Sequence, residues 1–321
     1  MKYCLPILLI LIFLSSCALT EEEPQSKPIS SMDSEQYLMV LGNVQDAGYP
    51  QIGCMKACCK EHWNPAARQK MITSLGIVDK KAQKTWLFEA SPDFKYQTKL
   101  LSDQLNPNKF SLPNGIFLTH GHIGHYVGLM HLGREAMGAD KVPVYAMPRM
   151  KNYLETSGPW SQLVALNNID LQPLKADSLI SLSERIKVVP FLVPHRGEYT
   201  ETVGYRIISP KKKILFIPDI DKWNKWERDI IKEIQAVDIA LLDATFFKNG
   251  EVGNRDMSEI PHPFVEESMN LFAVLSKEDR AKVHFIHFNH TNPILQENSA
   301  AKQEVLKEGY RIAEEGFRIA L

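Results

Sequence analysis

Residues 117–129 read FLTHGHIGHYVGL and put His120, His122 and His125 directly behind a short apolar run. In an extended segment residues i and i+2 project to the same side, so His120 and His122 can grip one ion together. The chain then turns at Gly124, a candidate for positive φ, and His125 faces the same cavity from the start of a helix. The chain has ten histidines, so three within six residues at a strand end mark a site rather than a scatter. Any fold for this sequence must bring a strand terminus to the wall of a metal-binding cavity.

Other donors stand where further strands should end. VPFLVPHRGEYT delivers His195, KILFIPDID delivers Asp219 and VHFIHFNHTNP delivers His287, each behind an apolar run. Singly, His195 reads as a loop histidine and Asp219 as a turn or helix cap. The shared position after a buried strand makes them a set. Strands are also predicted at QYLMVLG, TWLFEAS, GIFLTH, VPVYAM, VGYRII and DIALLDATFF, short apolar runs closed by polar residues. Helices are predicted at WERDIIKEIQAV, PFVEESMNLFAVLS and NSAAKQEVLKEG. A further helix is expected after the histidine block, with Val127, Met130, Leu132 and Met137 on one face and Gly138 as its stop. Strands dominate both halves and helices fall between groups of them, which points to an α/β chain of two sheets with helices packed outside.

The first residues speak to location. Lys2 precedes the apolar run LPILLILIFL and then LSSC, ending at Cys17. One positive charge, an apolar stretch too short for a bilayer and small residues before a cysteine describe a secretory signal. Leu-Ser-Ser-Cys also resembles the bacterial lipobox. That implies a signal peptide over 1–16, lipid on Cys17, and an extracytoplasmic lipoprotein anchored to a membrane, in the periplasm or at the outer membrane. An uncleaved cytoplasmic N-terminus is the alternative. Residues 17–36 are polar and acidic with two prolines and read as a flexible tether, leaving 37–321 as the domain. Net charge is −1, with no basic stripe carrying interleaved aromatics. Nucleic acid is therefore not an expected partner; a small-molecule substrate and the membrane are.

His120, His122 and His125 resemble the HxHxDH block of the metallo-β-lactamase superfamily, and His195, Asp219 and His287 fall in the order of its later ligands. DAGYPQIGC, ASPDF, LLDATFF and especially IHFNHTNPIL look like the coenzyme PQQ synthesis protein B family, from Leu41 to the C-terminus. A cysteine-rich insertion at 53–62 and a second late histidine are similar to the cyclic phosphodiesterase of phosphonate breakdown, in the same superfamily. The resemblance implies a four-layer αββα fold, two packed mixed sheets with outer helices. It implies that His120, His122 and His195 hold a first metal, that His125 and His287 hold a second, and that Asp219 bridges both and serves catalysis. Gly124 replaces the block's carboxylate, so the second site is expected to keep three protein ligands and to bind more weakly. The PQQ synthesis proteins replace the first histidines of the block, which this chain retains.

Cys54, Cys58 and Cys59 lie in GCMKACCKEH. Three cysteines cannot all pair within one secreted chain, whereas three thiolates and one histidine complete a closed tetrahedral zinc site. The relatives carry a comparable site with a histidine three residues after the last active-site histidine, the place of His290. A Cys54–Cys58 or Cys54–Cys59 disulfide is the alternative. His262, in EIPHPF, stands where related phosphodiesterases place a proton-transferring histidine, the alternative being a solvated loop residue. Glu89 sits where the superfamily often has a carboxylate supporting the ligand loop, His131 falls on the helix after the block, and His62 and His284 read as structural.

The expected function is hydrolysis with zinc, one or two ions at the active site and one structural, with iron or manganese accepted by the same active-site ligands. Phosphodiesters and related esters are the expected substrates; lactams, thioesters and lactones use the same constellation. The alternatives are an oxidative role like that in PQQ synthesis and a non-catalytic metal- or cofactor-binding lipoprotein.

Overall fold

The computed structural model describes Met1 and residues 34–64, 69–253, 256–258 and 260–321. The predicted signal peptide beyond Met1, Cys17 and most of the tether lie outside the described residues. No helix among the described residues is long and apolar enough to cross a membrane.

Six strands come first: β1 (Gln36–Gly42), β2 (Ser74–Asp79), β3 (Lys84–Phe88), β4 (Ile116–Phe117), β5 (Val142–Ala146) and β6 (Ile169–Pro173). Seven more follow: β7 (Ile180–Ser181), β8 (Lys187–Leu192), β9 (Val203–Ile208), β10 (Lys213–Ile217), β11 (Ile239–Asp243), β12 (Val283–Ile286) and β13 (Arg311–Ile312). The last strand, β14 (Arg318–Ala320), returns to pair antiparallel with β1. The described residues thus form two seven-stranded sheets, ordered β14-β1-β2-β3-β4-β5-β6 and β13-β12-β11-β10-β9-β8-β7.

Both sheets are mixed, and pairing fixes which strand ends share an edge. β1 and β3 each run antiparallel to β2, and β4 runs parallel to β3. In the second sheet β8 and β10 each oppose β9, while β11 and β12 continue parallel to β10. The C-terminal ends of β1, β3 and β4, and of β8, β10, β11 and β12, therefore emerge on one edge of each sheet.

Apolar side chains on both faces of these strands build three layers of core. Between the sheets, Val40, Ile77, Phe88 and Phe117 pack with Tyr205, Ile207, Phe216 and Ile286. Phe88 stacks on Phe117 with centroids 5.0 Å apart and meets Tyr205 edge-on at 5.2 Å; truncating such a residue costs about 3–5 kcal/mol. Outside the first sheet lie Phe94, Leu101, Leu154 and Trp160, carried on the Phe94–Asp103, Pro148–Thr156 and Trp160–Ala165 helices. Outside the second lie Ile234, Val265, Phe272 and Val305, from the Ile230–Gln235, Val265–Phe272 and Ala300–Lys307 helices. This is the expected αββα arrangement.

The helix predicted after the histidine block does not form as drawn. A four-residue helix, Ile123–Tyr126, gives way to a tighter 3-10 turn over Val127–Leu132. The chain is pulled off a straight path because the Gly128 N–H donates to the Ala90 carbonyl at 2.8 Å. Met130 and Met137 are consequently about half exposed, at 53% and 48%, instead of sharing a buried face.

Where β1 ends, the two sheets are laced together. A Cβ on Gly42 would stand 2.1 Å from the Ile72 carbonyl oxygen, so only glycine permits this approach. Val44 then bridges in parallel to Phe288 of the second sheet. The Gln45 N–H donates to Phe288 O at 2.8 Å and the Phe288 N–H to Asn43 O at 3.0 Å.

Candidate metal centre

The strand ends described above converge, and each delivers one functional side chain. His120 follows β4, His195 follows β8, Asp219 follows β10, Asp243 closes β11 and His287 follows β12. Glu89 follows β3, and both it and His287 hold positive φ, +73° and +69°. Such backbone is costly for residues other than glycine and persists where surrounding bonds over-determine it. Here the Glu89 N–H donates to Phe117 O and the Ala90 N–H to His125 O, each at 2.9 Å.

Among the described residues, three sets of donors share Asp219, the third being Asp219 itself with Asp243, His262 and His287. In the first, the ligand atoms of His120, His122, His195 and Asp219 lie within 4.8 Å of one another. His120 Nε2 is 3.2 Å from Asp219 Oδ2, and His195 Nε2 is 3.3 Å from Asp219 Oδ1. In the second, Asp46, His125, Asp219 and His287 converge within the same limit. His125 Nε2 is 3.0 Å and His287 Nε2 3.3 Å from Asp46 Oδ1, and His125 Nε2 is 3.6 Å from Asp219 Oδ2.

Hydrogen bonding behind the rings fixes which nitrogen faces inward. Thr245 Oγ1 donates its single proton to Asp243 Oδ1 at 2.7 Å, so at 2.9 Å it accepts from His287 Nδ1–H and leaves Nε2 as a lone pair. The Glu89 carboxylate, fully buried, stands 3.3 Å from His125 Nδ1 and orients that ring the same way. Both ring nitrogens of His195 and Oδ1 of Asp219 are buried without a hydrogen bond. Buried polar atoms seldom go unpaired. Imidazole and carboxylate atoms aimed at one another across about 3 Å fit a shared divalent ion of the zinc class.

The electrostatics carry the same asymmetry. Burial pushes the His195 imidazole down to about 4 despite Asp219 beside it, so the ring is neutral, as a ligand must be. Burial also opposes charge on Asp219, yet His195, His262 and His287 hold its carboxyl well below the usual range. His125 is buried too, but with Asp46 and Glu89 on either side it is raised well above an ordinary histidine. Two flanking carboxylates prepare that position for a cation.

Residues 84–288 match the beta-lactamase superfamily domain. The chain belongs to that superfamily. It is 25% identical over 307 residues to the coenzyme PQQ synthesis protein B of Methylobacterium sp. (strain 4-46), covering 88% of this chain and 99% of that one. Among solved structures, zinc-bound PqqB from Methylobacterium extorquens superposes with a TM-score of 0.73 at 22% identity, over 89% of this chain and all of the other. A diphosphatase of the PhnP family superposes with a TM-score of 0.61 at 22% identity, over 88% and 96%.

Gly124 was expected to leave three donors at the second position; a further carboxylate, Asp46, converges there with His125, Asp219 and His287. A Cβ on Gly124 would lie 2.5 Å from Asp46 Cα and Cγ. Gly124 is glycine because Asp46 packs on it, and its φ is not in the left-handed region. Nothing in the spacing of NVQDAGYP singled Asp46 out; the clue was the missing side chain at 124.

Asp243 was likewise passed over. Its oxygens receive the Ile220 and Thr245 N–H groups and the Thr245 hydroxyl, and Oδ2 is 2.9 Å from His262 Nδ1. Asp243 also converges with Asp219, His262 and His287, but with its oxygens already taken by these four partners it orients neighbours rather than offering a lone pair to a metal. His262 is buried rather than solvated, and 3.1 Å from Asp219 Oδ1. Burial opposes its charge, but Asp243 and Asp219 lift it to about 10. Beside His195 opens a cleft of about 440 Å³, lined by Arg149, Thr200, Lys225, Trp226 and Arg228 among others.

The cysteine cluster assembles separately. Ligand atoms of Cys54, Cys58, Cys59 and His290 lie within 4.8 Å of one another. All three thiols are free, and Cys54 and Cys58 Sγ are 3.7 Å apart, well beyond the ~2.05 Å of a disulfide. His290 Nδ1 is 3.2 Å from Asn289 Oδ1, a bond that leaves its other nitrogen free to bind metal. His284 and His131 are packing residues: His284 is buried against Phe317, and His131 stacks on Phe94. His62 packs its ring on Tyr49 at 4.5 Å.

Proposed function

We propose that this protein is a metal-dependent hydrolase acting on phosphodiesters or related phosphoesters, with zinc as its working metal. The observation that carries the reading is Asp219, one buried carboxylate common to the His120–His122–His195 set and the Asp46–His125–His287 set. His120, His122 and His195 would hold one ion, His125 and His287 the other, with Asp219 between them. Bound there, the ions supply Lewis acidity that makes water acidic near neutral pH and polarises the bond to be cut. The chain's own part is to fix the imidazoles through Thr245 and Glu89, and to hold a protonated His262 beside Asp219, where it can pass a proton to a leaving oxygen. Zinc is supported by the zinc-bound PqqB neighbour, and phosphoester chemistry by the PhnP-family diphosphatase. Cys54, Cys58, Cys59 and His290 would hold a further, structural zinc.

The test is a metal-loaded preparation assayed against generic phosphodiester, lactam and thioester substrates. Phosphodiester turnover that vanishes in His122→Ala, with the fold intact, is the expected result; no turnover on any class refutes it. A role in cofactor biosynthesis like that of the PQQ synthesis relatives is the second reading, favoured by likeness along their full length. Iron would then occupy the same imidazole–carboxylate ligands. We place the domain outside the cytoplasm, on a lipid carried by Cys17, from the LSSC motif. Cys17→Ala should release it from the membrane fraction; unchanged processing and fractionation would refute the anchor.

A further inference from the structure

We propose that Asp46 is a ligand of the second metal, a carboxylate relocated from the histidine block to the loop after β1, and that Asp46 and a side chain at position 124 exclude each other. The inference rests on the two-ion reading above and deepens it.

Three observations carry it. Asp46 Oδ1 receives two imidazole nitrogens at once, His125 Nε2 at 3.0 Å and His287 Nε2 at 3.3 Å. The His287 proton is committed to Thr245 on the far side of the ring, so lone pair faces lone pair across the 3.3 Å gap. Two such lone pairs repel unless a cation lies between them, which is the place a metal ion would take. Second, Asp46 comes from 79 residues before His125 and is held in place by backbone. Gln45, its neighbour, donates to Phe288, the neighbour of His287. Third, the Cβ that any residue other than glycine would add at 124 overlaps Asp46 Cα, Cβ and Cγ at 2.5–2.6 Å. Those are backbone and near-backbone atoms that cannot swing aside. Gly124 is thus the condition for Asp46, and Asp46 supplies the charge that Gly124 cannot.

The test titrates zinc into metal-free protein against a chromophoric chelator, and records cobalt(II) absorption as an independent report of ligand number. Asp46→Asn should weaken one active-site equivalent at least about tenfold, the low end expected for a lost ligand-shell group, and leave the other unchanged. Gly124→Asp alone should gain no affinity and should lower Tm. The double variant Asp46→Gly/Gly124→Asp should be more stable than Gly124→Asp but short of wild-type Tm, because it removes the Cβ and Cγ overlaps while the backbone Cα at 2.5 Å stays. If Asp46→Asn binds both equivalents as wild type does, Asp46 is not a ligand. If Gly124→Asp alone folds with native Tm and tightens the second ion, or if the double variant is no more stable than Gly124→Asp, the exclusion is wrong. Wild-type protein that takes up no active-site metal overturns the hydrolase reading itself, which keeps the two failures apart.

Discussion

Replacing Glu89 with Gln removes one charge from the floor of the centre and keeps the size of the side chain. The carboxylate lies 3.3 Å from His125 Nδ1, with both groups fully buried. Burial pushes the Glu89 carboxyl up, and the adjacent His125 pulls against that rise. At this distance opposite unit charges attract by about 5 kcal/mol at an effective dielectric of ~20, most of which desolvation offsets. What survives is the increase in basicity at His125 Nε2, the nitrogen that faces Asp46. Loss of such a carboxylate behind a ligating histidine typically weakens metal binding about 10- to 100-fold, or ~1.4–2.7 kcal/mol. The Gln carbonyl still turns a partial negative charge toward Nδ1, so the lower part of the range, roughly 10- to 30-fold, is expected. Chelator competition should show this loss on the equivalent bound by His125 and His287, with the His120–His122–His195 equivalent unchanged. Both affinities within about twofold of wild type would mean that Glu89 does not act through His125.

Three further outcomes are expected. Cys59→Ser should remove one zinc equivalent and lower Tm by several degrees while both active-site equivalents remain, measured by elemental analysis and calorimetry; unchanged zinc content would refute the structural site. His262→Ala should keep its metal but lose about 10²–10⁴ in turnover, the usual worth of a positioned acid, read from steady-state kinetics at full metal load. His284 is buried, donates Nδ1–H to the Lys282 carbonyl and lies beside Arg311; burial chiefly, with Arg311, pushes it down to about 4. The unfolded chain takes up a proton near pH 6.5 that the fold refuses, so this penalty is absent above that pH and grows as pH falls toward 4. It reaches about 2.5 kcal/mol at pH 4.5. Urea titrations should therefore show His284→Gln losing that much less stability than wild type between pH 7.5 and 4.5.

The histidines were legible because their signal is local: a donor directly behind an apolar run is a strand end, and His120, His195, Asp219 and His287 all obey that rule. Runs with strong alternation or length, such as KILFIPD and PFVEESMNLFAVLS, gave elements at the expected places. Ser74–Asp79 and Ile169–Pro173 were missed, although both are strands. Gly76 thins the apolar signal of the first, and Asp170 and Gln172 interrupt the second. The run after the histidine block looked helical by spacing, but Gly128 is bound to the Ala90 carbonyl, a partner from another strand end. Asp46 had no local signal at all. Its neighbours are set by a bridge between sheets, and its trace in the sequence was an absence at Gly124.

The Val44–Phe288 bridge makes the metal centre a reporter of its own enclosure. The amides of Gln45 and Phe288 are hydrogen-bonded across the seam between the sheets, and each adjoins a residue of the second donor set. Solvent reaches those two protons only when the seam parts, and parting it pulls Asp46 away from His287. An ion held by both residues must be released before the seam opens, so opening becomes rarer by the factor 1 + [metal]/Kd. Hydrogen exchange at Gln45 and Phe288 should slow by that factor as metal is added, whereas amides on the far edge, such as those of β6, should not respond. Two backbone protons would then give the occupancy of the centre without any substrate.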